Sequence, residues 1–386
     1  MRFLLPAFFL SFVFLLLYSY TQIDLNLFLS RFEPILSFQR FFQQIGYFQR
    51  PLSTYLYLGI VGLLFILYFS ALNLARKGKV LKKDLWKIIL IGGIILTFSY
   101  NAFSYDLFNY IFDAKIVTYY QQNPYEHKAL DYQGDPMLNF MRWTHRTYPY
   151  GPSWLGLTIP LSLLGFNFFL PTAILFKGLA TAMYLGTIYY IEKIMNKINP
   201  KNAIFAIAFF ALNPLVIVES LVSGHLDIAM MFFGVFAFYL LISKKYISSF
   251  LSLLFSIGIK FATGFLLPVF AWVWFQKGSV SWERMIQYSI VLMSLSVIAA
   301  TFRTNFQPWY LLSVLSFAAL VSNKYYVFIP AIVLSFTSLL IYVPYIYTGN
   351  WDPPIPTILF WITAAGVLAS VVLVTAKAIF GGKIRL

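Results

Sequence analysis

Residues 3–20 read FLLPAFFLSFVFLLLYSY, an apolar run without a charged side chain. An α-helix needs about 20 mostly apolar residues to cross the hydrocarbon core of a membrane. The run follows a single basic residue, Arg2, and no small-residue cleavage site follows it, which is unlike a secretory signal peptide. It therefore predicts a retained first membrane helix.

Apolar runs of this kind recur along the whole chain. Of its 386 residues, 60% are hydrophobic and 11% are charged, whereas a soluble domain would carry roughly twice that charge. We expect one transmembrane domain over 1–386, an all-α polytopic bundle of about 11–13 membrane helices in the cell membrane. The predicted spans are roughly 3–20, 54–73, 87–103, 170–192, 203–221, 227–243, 247–260, 261–276, 285–302, 309–322, 327–346 and 356–377.

The net charge of +15 is compatible with nucleic-acid binding, but its distribution argues against that partner. Basic residues gather in short turns between apolar runs, which is the pattern of cytoplasmic loops. Both termini and most basic residues are thus predicted to face the cytoplasm, and most of the 13 acidic residues are not. The predicted cytoplasmic positions are Arg2, Arg76 to Lys87, Lys193 to Lys201, Lys244, Lys245, Lys277, Arg284, Lys324, Lys377, Lys383 and Arg385.

Two long segments fall on the predicted outer side. Residues 21–52 carry apolar side chains near helical spacing, with Arg31 and Arg40 between them. This pattern predicts an amphipathic helix that lies on the membrane and contacts its lipids. Residues 104–153 hold the densest polar content of the chain and form the expected catalytic loop.

Two apolar stretches are too short to be assigned as ordinary spans. We place the run 154–168 in the outer interface, because counting it as a span would move the basic residues 193–201 to the outside. The adjacent runs 247–260 and 261–276 form either two spans or a hairpin that does not fully cross the membrane.

Two acidic residues follow the third predicted span. Asp106 and Asp113 are seven positions apart, so a helix would place both on one face. A carboxylate at the membrane border is costly unless it is used or paired. The alternative is that both are ordinary interfacial residues that face water.

A cationic cluster and a stiff turn close the same outer segment. Arg142, His145 and Arg146 are suited to binding phosphate, and Tyr-Pro-Tyr-Gly-Pro at 148–152 leads into the next apolar run. The alternative is a solvated loop whose prolines only shape the chain.

A His-x-Asp pair, His225 and Asp227, lies in a very short predicted outer turn. Asp227 could equally cap the following helix. The chain has no cysteine, so a thiolate metal site and a Cys nucleophile are excluded. With no third clear ligand near the pair, no metal site is predicted.

Lys260 is the lone charge between two short apolar runs, which makes it a functional candidate because a charge there is costly. The alternative is that its ammonium group reaches the outer headgroups. A further outer turn holds Arg303 with the rings of Trp309 and Tyr310, for which membrane anchoring is the alternative role.

These motifs, in this order over roughly 100–315, resemble the GT-C superfamily of polyprenyl-phosphate-sugar-dependent glycosyltransferases, and mannosyltransferase-like members in particular. The resemblance rests on Asp106 to Asp113, Asn123-Pro124-Tyr125, Tyr148 to Pro152, Asn213-Pro214-Leu215, Gly224-His225-Leu226-Asp227, Lys260 before Pro268, and Pro308-Trp309-Tyr310. The family has an essential acid in its first large outer loop, and Asp106 matches that place best. Here the loop follows the third predicted span rather than the first, and the usual Tyr-Pro-Pro is Tyr-Pro-Tyr-Gly-Pro.

The resemblance implies transfer of a monosaccharide, with mannose favoured, from a polyprenyl-phosphate donor to a lipid-linked or envelope glycan acceptor. The reaction would invert the anomeric carbon at the extracytoplasmic face, with Asp106 as the base and Asp113 orienting the loop or binding a sugar hydroxyl. Cations would stabilise the departing phosphate, so no cofactor and no obligatory metal are expected. The residues expected to bind substrate are Lys260, His225, Asp227, Arg303, Arg142, Arg146, Tyr110, Trp309 and Tyr310.

The main alternative function is a flippase or transporter of lipid-linked sugars or small solutes. A transporter should carry its polar residues near mid-membrane on broken helices, often within an internal repeat. The polar residues here concentrate toward one face and no repeat is visible, which favours an enzyme. A structural subunit of a cell-envelope assembly is a third possibility, but it leaves Asp106 and Lys260 unexplained.

Overall fold

Helices make up all the regular structure within residues 3–276 and 280–380, which are the residues that the computed structural model describes. The first half contains α1 (Leu4–Ser19), α2 (Glu33–Gln43), α3 (Arg50–Arg76), α4 (Lys82–Thr97), α5 (Asp106–Thr118), α6 (Pro152–Leu164) and α7 (Phe169–Ile198). The second half contains α8 (Ala203–Ala211), α9 (Pro214–Ile217), α10 (Asp227–Ile242), α11 (Tyr246–Ile259), α12 (Leu267–Phe275), α13 (Trp282–Thr304), α14 (Leu311–Ala318), α15 (Tyr325–Leu340), α16 (Tyr342–Thr348) and α17 (Ile355–Phe380). The predicted cytoplasmic residues Arg2, Lys277, Lys383 and Arg385 lie outside the described residues.

The expected polytopic helical bundle is confirmed, but fewer helices are long enough to cross a membrane than the eleven to thirteen predicted. In the described ranges six segments qualify, and a bent pair, Pro200–Ala211 with Pro214–Val222, makes a seventh if the pair is counted as one span. The six are Leu4–Gln22, Arg50–Arg76, Phe169–Ile198, Trp282–Thr304, Tyr325–Thr348 and Ile355–Phe380. The difference arises because other apolar runs form helices of only 10–17 residues: Pro152–Leu164, Asp227–Ile242, Tyr246–Ile259, Phe261–Phe275 and Pro308–Val321.

The bent pair has a local cause at Asn213 and Pro214. Pro214 lacks a backbone N–H and begins α9, while the Asn213 side chain caps that helix by accepting the Leu215 N–H at 2.9 Å. The two halves meet at 55°, and the second ends in a π-helical turn over Val218–Val222. The break therefore turns the chain inside the bundle, where every residue of 213–223 is buried.

The segment 104–153, which is predicted to lie outside, begins as a helix rather than a loop, because its first part contains α5. The remainder has only two short 3₁₀ helices, Ala129–Asp131 and Pro136–Asn139, before α6 begins. It is held by an ion pair between Lys115 and Asp135 and by an isolated bridge between Lys128 and Thr147. It leads into α6, whose 13 residues extend about 20 Å and are too short to cross the hydrocarbon core. α6 packs against α5, α7 and α11, and its interfacial position stays a prediction.

The segment 21–52 contains the expected amphipathic helix, α2. Phe38 and Phe41 are exposed on α2, whereas Gln39 and Gln43 are buried. The Gln39 amide donates to the Leu27 carbonyl at 2.6 Å, and the Gln43 amide donates to the Asp24 carbonyl at 3.2 Å. The apolar face of α2 thus points away from the protein, which fits the predicted position on the membrane surface.

Candidate functional site

The first carboxylate of the site is positioned by the start of α5. The Asp106 N–H donates to Ser104 Oγ at 3.1 Å, and Asp106 occupies the first turn, where the helix dipole favours a negative charge. Its side chain retains 14% of its exposure. Asp106, Tyr110 and Asp113 recur at helical spacing, so they share one face of α5, as the sequence predicts for the two aspartates.

Asp113 has a different environment on the same helix. Its side chain is buried, and burial raises the pKa of the carboxyl to about 8, while the Arg146 charge lowers it and the Asp106 charge raises it further. Because burial dominates, the Asp113 carboxyl is largely protonated at neutral pH. A protonated carboxyl can donate a hydrogen bond but cannot accept a proton.

His225 lies between two carboxylates. The turn before α10 brings it there: Gly224 adopts a positive φ of 66°, and the His225 N–H donates to the Glu219 carbonyl at 3.1 Å. In the side chain, Nδ1 lies 3.8 Å from Asp106 Oδ2, and Nε2 lies 3.3 Å from Glu219 Oε2. The Trp309 ring stacks on the imidazole with centroids 3.9 Å apart. His225 is fully buried.

Lys260 and Asp227 form an ion pair beside this group. Lys260 lies in extended backbone between α11 and the short 3₁₀ helix Phe261–Leu266, and its Nζ donates to both Asp227 carboxylate oxygens, at 2.7 and 2.9 Å. The same Nζ lies 4.8 Å from the centre of the Tyr310 ring. Asp227 does not cap α10, because the residue at the cap is Leu226 and no side-chain cap bond forms.

The predicted stiff turn at 148–152 packs directly against the extended backbone segment that carries Lys260. The Gly151 N–H donates to the Ile259 carbonyl at 3.2 Å. A Cβ on Gly151 would lie 2.1 Å from the Gly258 carbonyl oxygen, so the approach requires glycine. Tyr150 meets the buried Tyr110 ring edge-on at 5.3 Å, and Trp154 meets the same ring at 5.4 Å. The Tyr110 ring is therefore buried against Tyr150 and Trp154 below the candidate site.

The arginines expected to bind phosphate are not in one cluster. Arg146 interacts electrostatically with Asp113, whereas the Arg142 guanidinium lies 5.2 Å from the Tyr105 ring, beside Asp24. Arg303 is exposed in the last turn of α13, and the contacts described for residues 3–276 and 280–380 do not join it to the site.

Sequence reasoning assigned no role to three buried residues that support the site. Glu219 is fully buried and accepts a hydrogen bond from the Tyr342 hydroxyl at 2.7 Å. Lys177 on α7 donates to Ser99 Oγ at 2.9 Å, to the Val222 carbonyl at 2.6 Å and to the Leu221 carbonyl. Lys177 could have been noticed as the one charge in the interior of the predicted span 170–192, whose other charge, Glu192, is its last residue. Nothing in the sequence singles out Tyr342.

Over the described residues, no group of three or more His, Cys, Asp or Glu side chains is arranged to hold a metal ion. The absence of an obligatory metal stays a prediction. The arrangement does provide a carboxylate at a helix start, a buried histidine, a cation with a free donor position and two aromatic rings. Such a set can accept a proton, stabilise a developing negative charge and cover a ring-shaped ligand.

A family model described as alpha-(1->6)-mannopyranosyltransferase, N-terminal domain, matches residues 26–276. The match includes Asp106, His225, Asp227 and Lys260, whereas Trp309 lies beyond it. Neither the curated proteins nor the solved structures compared with the chain gave a match. Because the matched residues make up more than half of the chain, this membrane protein belongs to the alpha-(1->6)-mannopyranosyltransferase family.

Proposed function

We propose that this protein is a GT-C-type enzyme that transfers mannose from a polyprenyl-phosphate donor to a hydroxyl of a lipid-linked or envelope glycan at the extracytoplasmic face. The observation that carries the proposal is the convergence of Asp106 and Lys260. They come from distant parts of the chain, and the contacts through His225, Trp309 and Tyr310 connect them. A base and a cation in one site are what a displacement at a sugar phosphate needs.

The reaction is a direct displacement. The acceptor oxygen forms a bond to the anomeric carbon while the bond from that carbon to the phosphate oxygen breaks, and the lipid phosphate leaves with the electron pair. Asp106 accepts the proton of the attacking hydroxyl. Because one displacement inverts the carbon, an α-linked product requires a donor whose mannose is β-linked to phosphate.

Lys260 would bind the leaving phosphate. An ammonium group has three N–H donors, and two of them are used by Asp227. The third finds no hydrogen-bond acceptor among the described residues, and we propose that it donates to a phosphate oxygen. Asp227 is almost fully buried, while the Lys260 side chain keeps 23% of its exposure, so the open side of the pair is the lysine. Trp309 and Tyr310 are partly exposed beside it and are suited to contact the sugar ring.

An apolar cavity of about 340 Å³ supports a lipid-borne donor. It lies among α13, α14, α15 and α17, and its lining includes Phe306, Leu311 and Ile341. Leu311 and Ile341 adjoin Tyr310 and Tyr342 in the sequence, and Phe306 lies three positions before Trp309, so one end of the cavity lies near the site. A polyprenyl chain is entirely apolar and would be stabilised by burial there.

The alternative as a flippase or transporter has one feature in its favour. The bent pair of helices around Asn213 carries the buried Glu219 and leads to His225, and broken helices with buried polar residues are typical of carriers. The family assignment favours transfer over transport, because the family is described by a transferase activity.

The test uses purified protein in detergent with radiolabelled β-mannosyl, β-glucosyl and α-mannosyl polyprenyl phosphates and a mixture of envelope glycolipids as acceptors. We expect consumption of the β-mannosyl donor and label in an α-(1→6) bond that a linkage-specific mannosidase removes. Turnover should persist in EDTA, and a loss restored by Mn²⁺ or Mg²⁺ would contradict metal independence. Movement of the donor across vesicle membranes without new glycosidic bonds would replace the proposal by the transport alternative.

A further inference from the structure

The two ring nitrogens of His225 each face a carboxylate. Nδ1 faces Asp106 Oδ2 at 3.8 Å and Nε2 faces Glu219 Oε2 at 3.3 Å, and neither ring nitrogen makes a hydrogen bond among the described residues. A neutral imidazole donates from one nitrogen only, so one carboxylate would face a lone pair. An imidazolium carries an N–H on each nitrogen, so its charge would complement both carboxylates across these distances.

Glu219 is held in an orientation that serves His225. Its two oxygens are divided between partners: Oε1 accepts the Tyr342 hydroxyl at 2.7 Å, and Oε2 points to His225. The residue has no exposure, and a buried carboxylate is costly unless it is paired. It lies in the π-helical turn Val218–Val222, an irregularity that often marks functional positions.

The orientation of the imidazole ring is fixed by a stacked ring on its face and by the backbone before it. Trp309 stacks on it with an angle of 19° between the rings, and the Gly224 turn sets the backbone. Lys177 binds the carbonyls at the end of the π-helical turn, two positions before that glycine. Rotation of the His225 ring away from the two carboxylates is therefore opposed by packing on several sides.

We propose that Tyr342, Glu219 and His225 form a positioning chain for the base Asp106, an inference that rests on the proposed function. In this chain Tyr342 orients Glu219 by a hydrogen bond, Glu219 orients His225, and His225 attracts Asp106 Oδ2 across 3.8 Å. The other Asp106 oxygen stays free to accept the proton of the acceptor hydroxyl. His225, Glu219 and Tyr342 are positioning residues, and they do not contact the reacting atoms.

The decisive variant is Glu219→Gln, which keeps the size and the oxygen facing Tyr342 but offers an amide where His225 needs an acceptor. We expect kcat to fall by about 10- to 100-fold, the scale for a displaced reacting group, with the donor KM changed less than about threefold. Glu192→Gln is the matched control, because Glu192 is also buried and paired. It lies near the C-terminal end of α7, where it accepts hydrogen bonds from Lys82 and Trp86 and does not contact His225. That control should keep the wild-type kcat.

A double variant separates positioning from a merely structural role. If Glu219 acts through Asp106, adding Glu219→Gln to Asp106→Asn costs little further kcat, because the base is already lost. A full additional loss would contradict the proposal. Tyr342→Phe should lower kcat by less than Glu219→Gln, and Tyr184→Phe, which removes a buried hydroxyl bonded to the Ala211 carbonyl, should not lower it.

Two failures can be told apart in these assays. If the wild-type protein transfers no sugar, the proposed function fails. If the wild type is active and folded Glu219→Gln protein has the wild-type kcat, the positioning chain fails and the proposed function stands. A reduced melting temperature with an unchanged kcat of the folded fraction would likewise assign Glu219 a structural role only.

Discussion

Asp106 and Asp113 lie on the same face of α5, yet only Asp106 has surroundings suited to a base. Asp113→Asn should keep most of the turnover at neutral pH, because the Asp113 carboxyl is already largely protonated. Asp106→Asn should lower turnover by about 10²-fold or more, the usual scale for losing a general base, while donor binding changes little. The measurement is kcat at saturating donor and acceptor. An inactive Asp113→Asn beside a normal Asp106→Asn would reverse the assignment.

The raised pKa of Asp113 also predicts how stability depends on pH. The folded protein binds the Asp113 proton up to about pH 8, whereas the ordinary pKa is 3.8. The contribution of the Asp113 carboxyl to the free energy of unfolding is therefore greatest below pH 4. This contribution falls as the pH rises toward 8, by about 1.4 kcal/mol per pKa unit at most. Asp113→Asn should melt with less loss between pH 5 and pH 8 than the wild type. The exposed control Asp352→Asn should follow the wild type.

Lys260→Met tests the phosphate contact, but it also leaves the buried Asp227 unpaired, which alone is destabilising. The double variant Lys260→Met/Asp227→Asn removes that charge. We expect the double variant to regain much of the melting temperature and still lose about 10- to 100-fold in kcat/KM for the donor, the worth of a charge-assisted hydrogen bond. Wild-type donor kinetics in the double variant would mean that Lys260 only reaches the headgroups.

Among the elements, the contact between the turn 148–152 and the end of α11 sets where Lys260 lies. Gly151→Ala would force Gly258 away and should destabilise the protein by about 1–3 kcal/mol, with reduced donor turnover. Gly156→Ala is the matched control, because a Cβ there meets nothing within 4 Å and alanine favours a helix. Equal behaviour of the two variants in melting and turnover would show that the close approach has no such role.

Long unbroken elements were predicted well from the sequence, whereas the breaks were not. The runs 54–73 and 356–377 became α3 and α17 because nothing in them interrupts the helical hydrogen bonds. The sequence predicts one span over 203–221, although Asn213 and Pro214 divide it in the structure. A proline in an apolar run allows either a kink or a break, and the choice depends on tertiary contacts, here including the bond from Asn213 to Ser335.

The site was predictable where a polar residue stands alone in an apolar run. Lys260 is proposed from the sequence in this way, since burying a charge needs a reason, whereas His225 is proposed from its pairing with Asp227 in a short turn. Their partners were not all found, because the partners come from distant sequence. Glu219 and Tyr342 are 123 positions apart and meet only in the folded protein. Lys177 binds backbone carbonyls, which leave no trace in the sequence.

For the whole molecule, the predicted orientation can be tested with single cysteines, because the chain has none of its own. Lys79→Cys and Gln133→Cys are suitable positions, because both residues are exposed. An impermeant maleimide applied to intact cells should label position 133 and reach position 79 only after the membrane is opened. Labelling of both positions from the same side would contradict the predicted topology.

The apolar face of α2 points away from the protein and its glutamines point inward, and this has a consequence for the depth of the site in the membrane. The glutamines of α2 bind the backbone around Asp24, and Asp24 Oδ2 accepts the hydroxyl of Tyr105, the neighbour of Asp106. If the phenylalanines of α2 insert into the lipid, α2 would lie at the level of the headgroups. Asp24 and Tyr105, which are linked to α2 by hydrogen bonds, would then lie near the same level. Asp106, the proposed base, would then be held at a constant depth in the membrane. The donor phosphate is itself restricted to the headgroup layer, so the two would lie at the same depth.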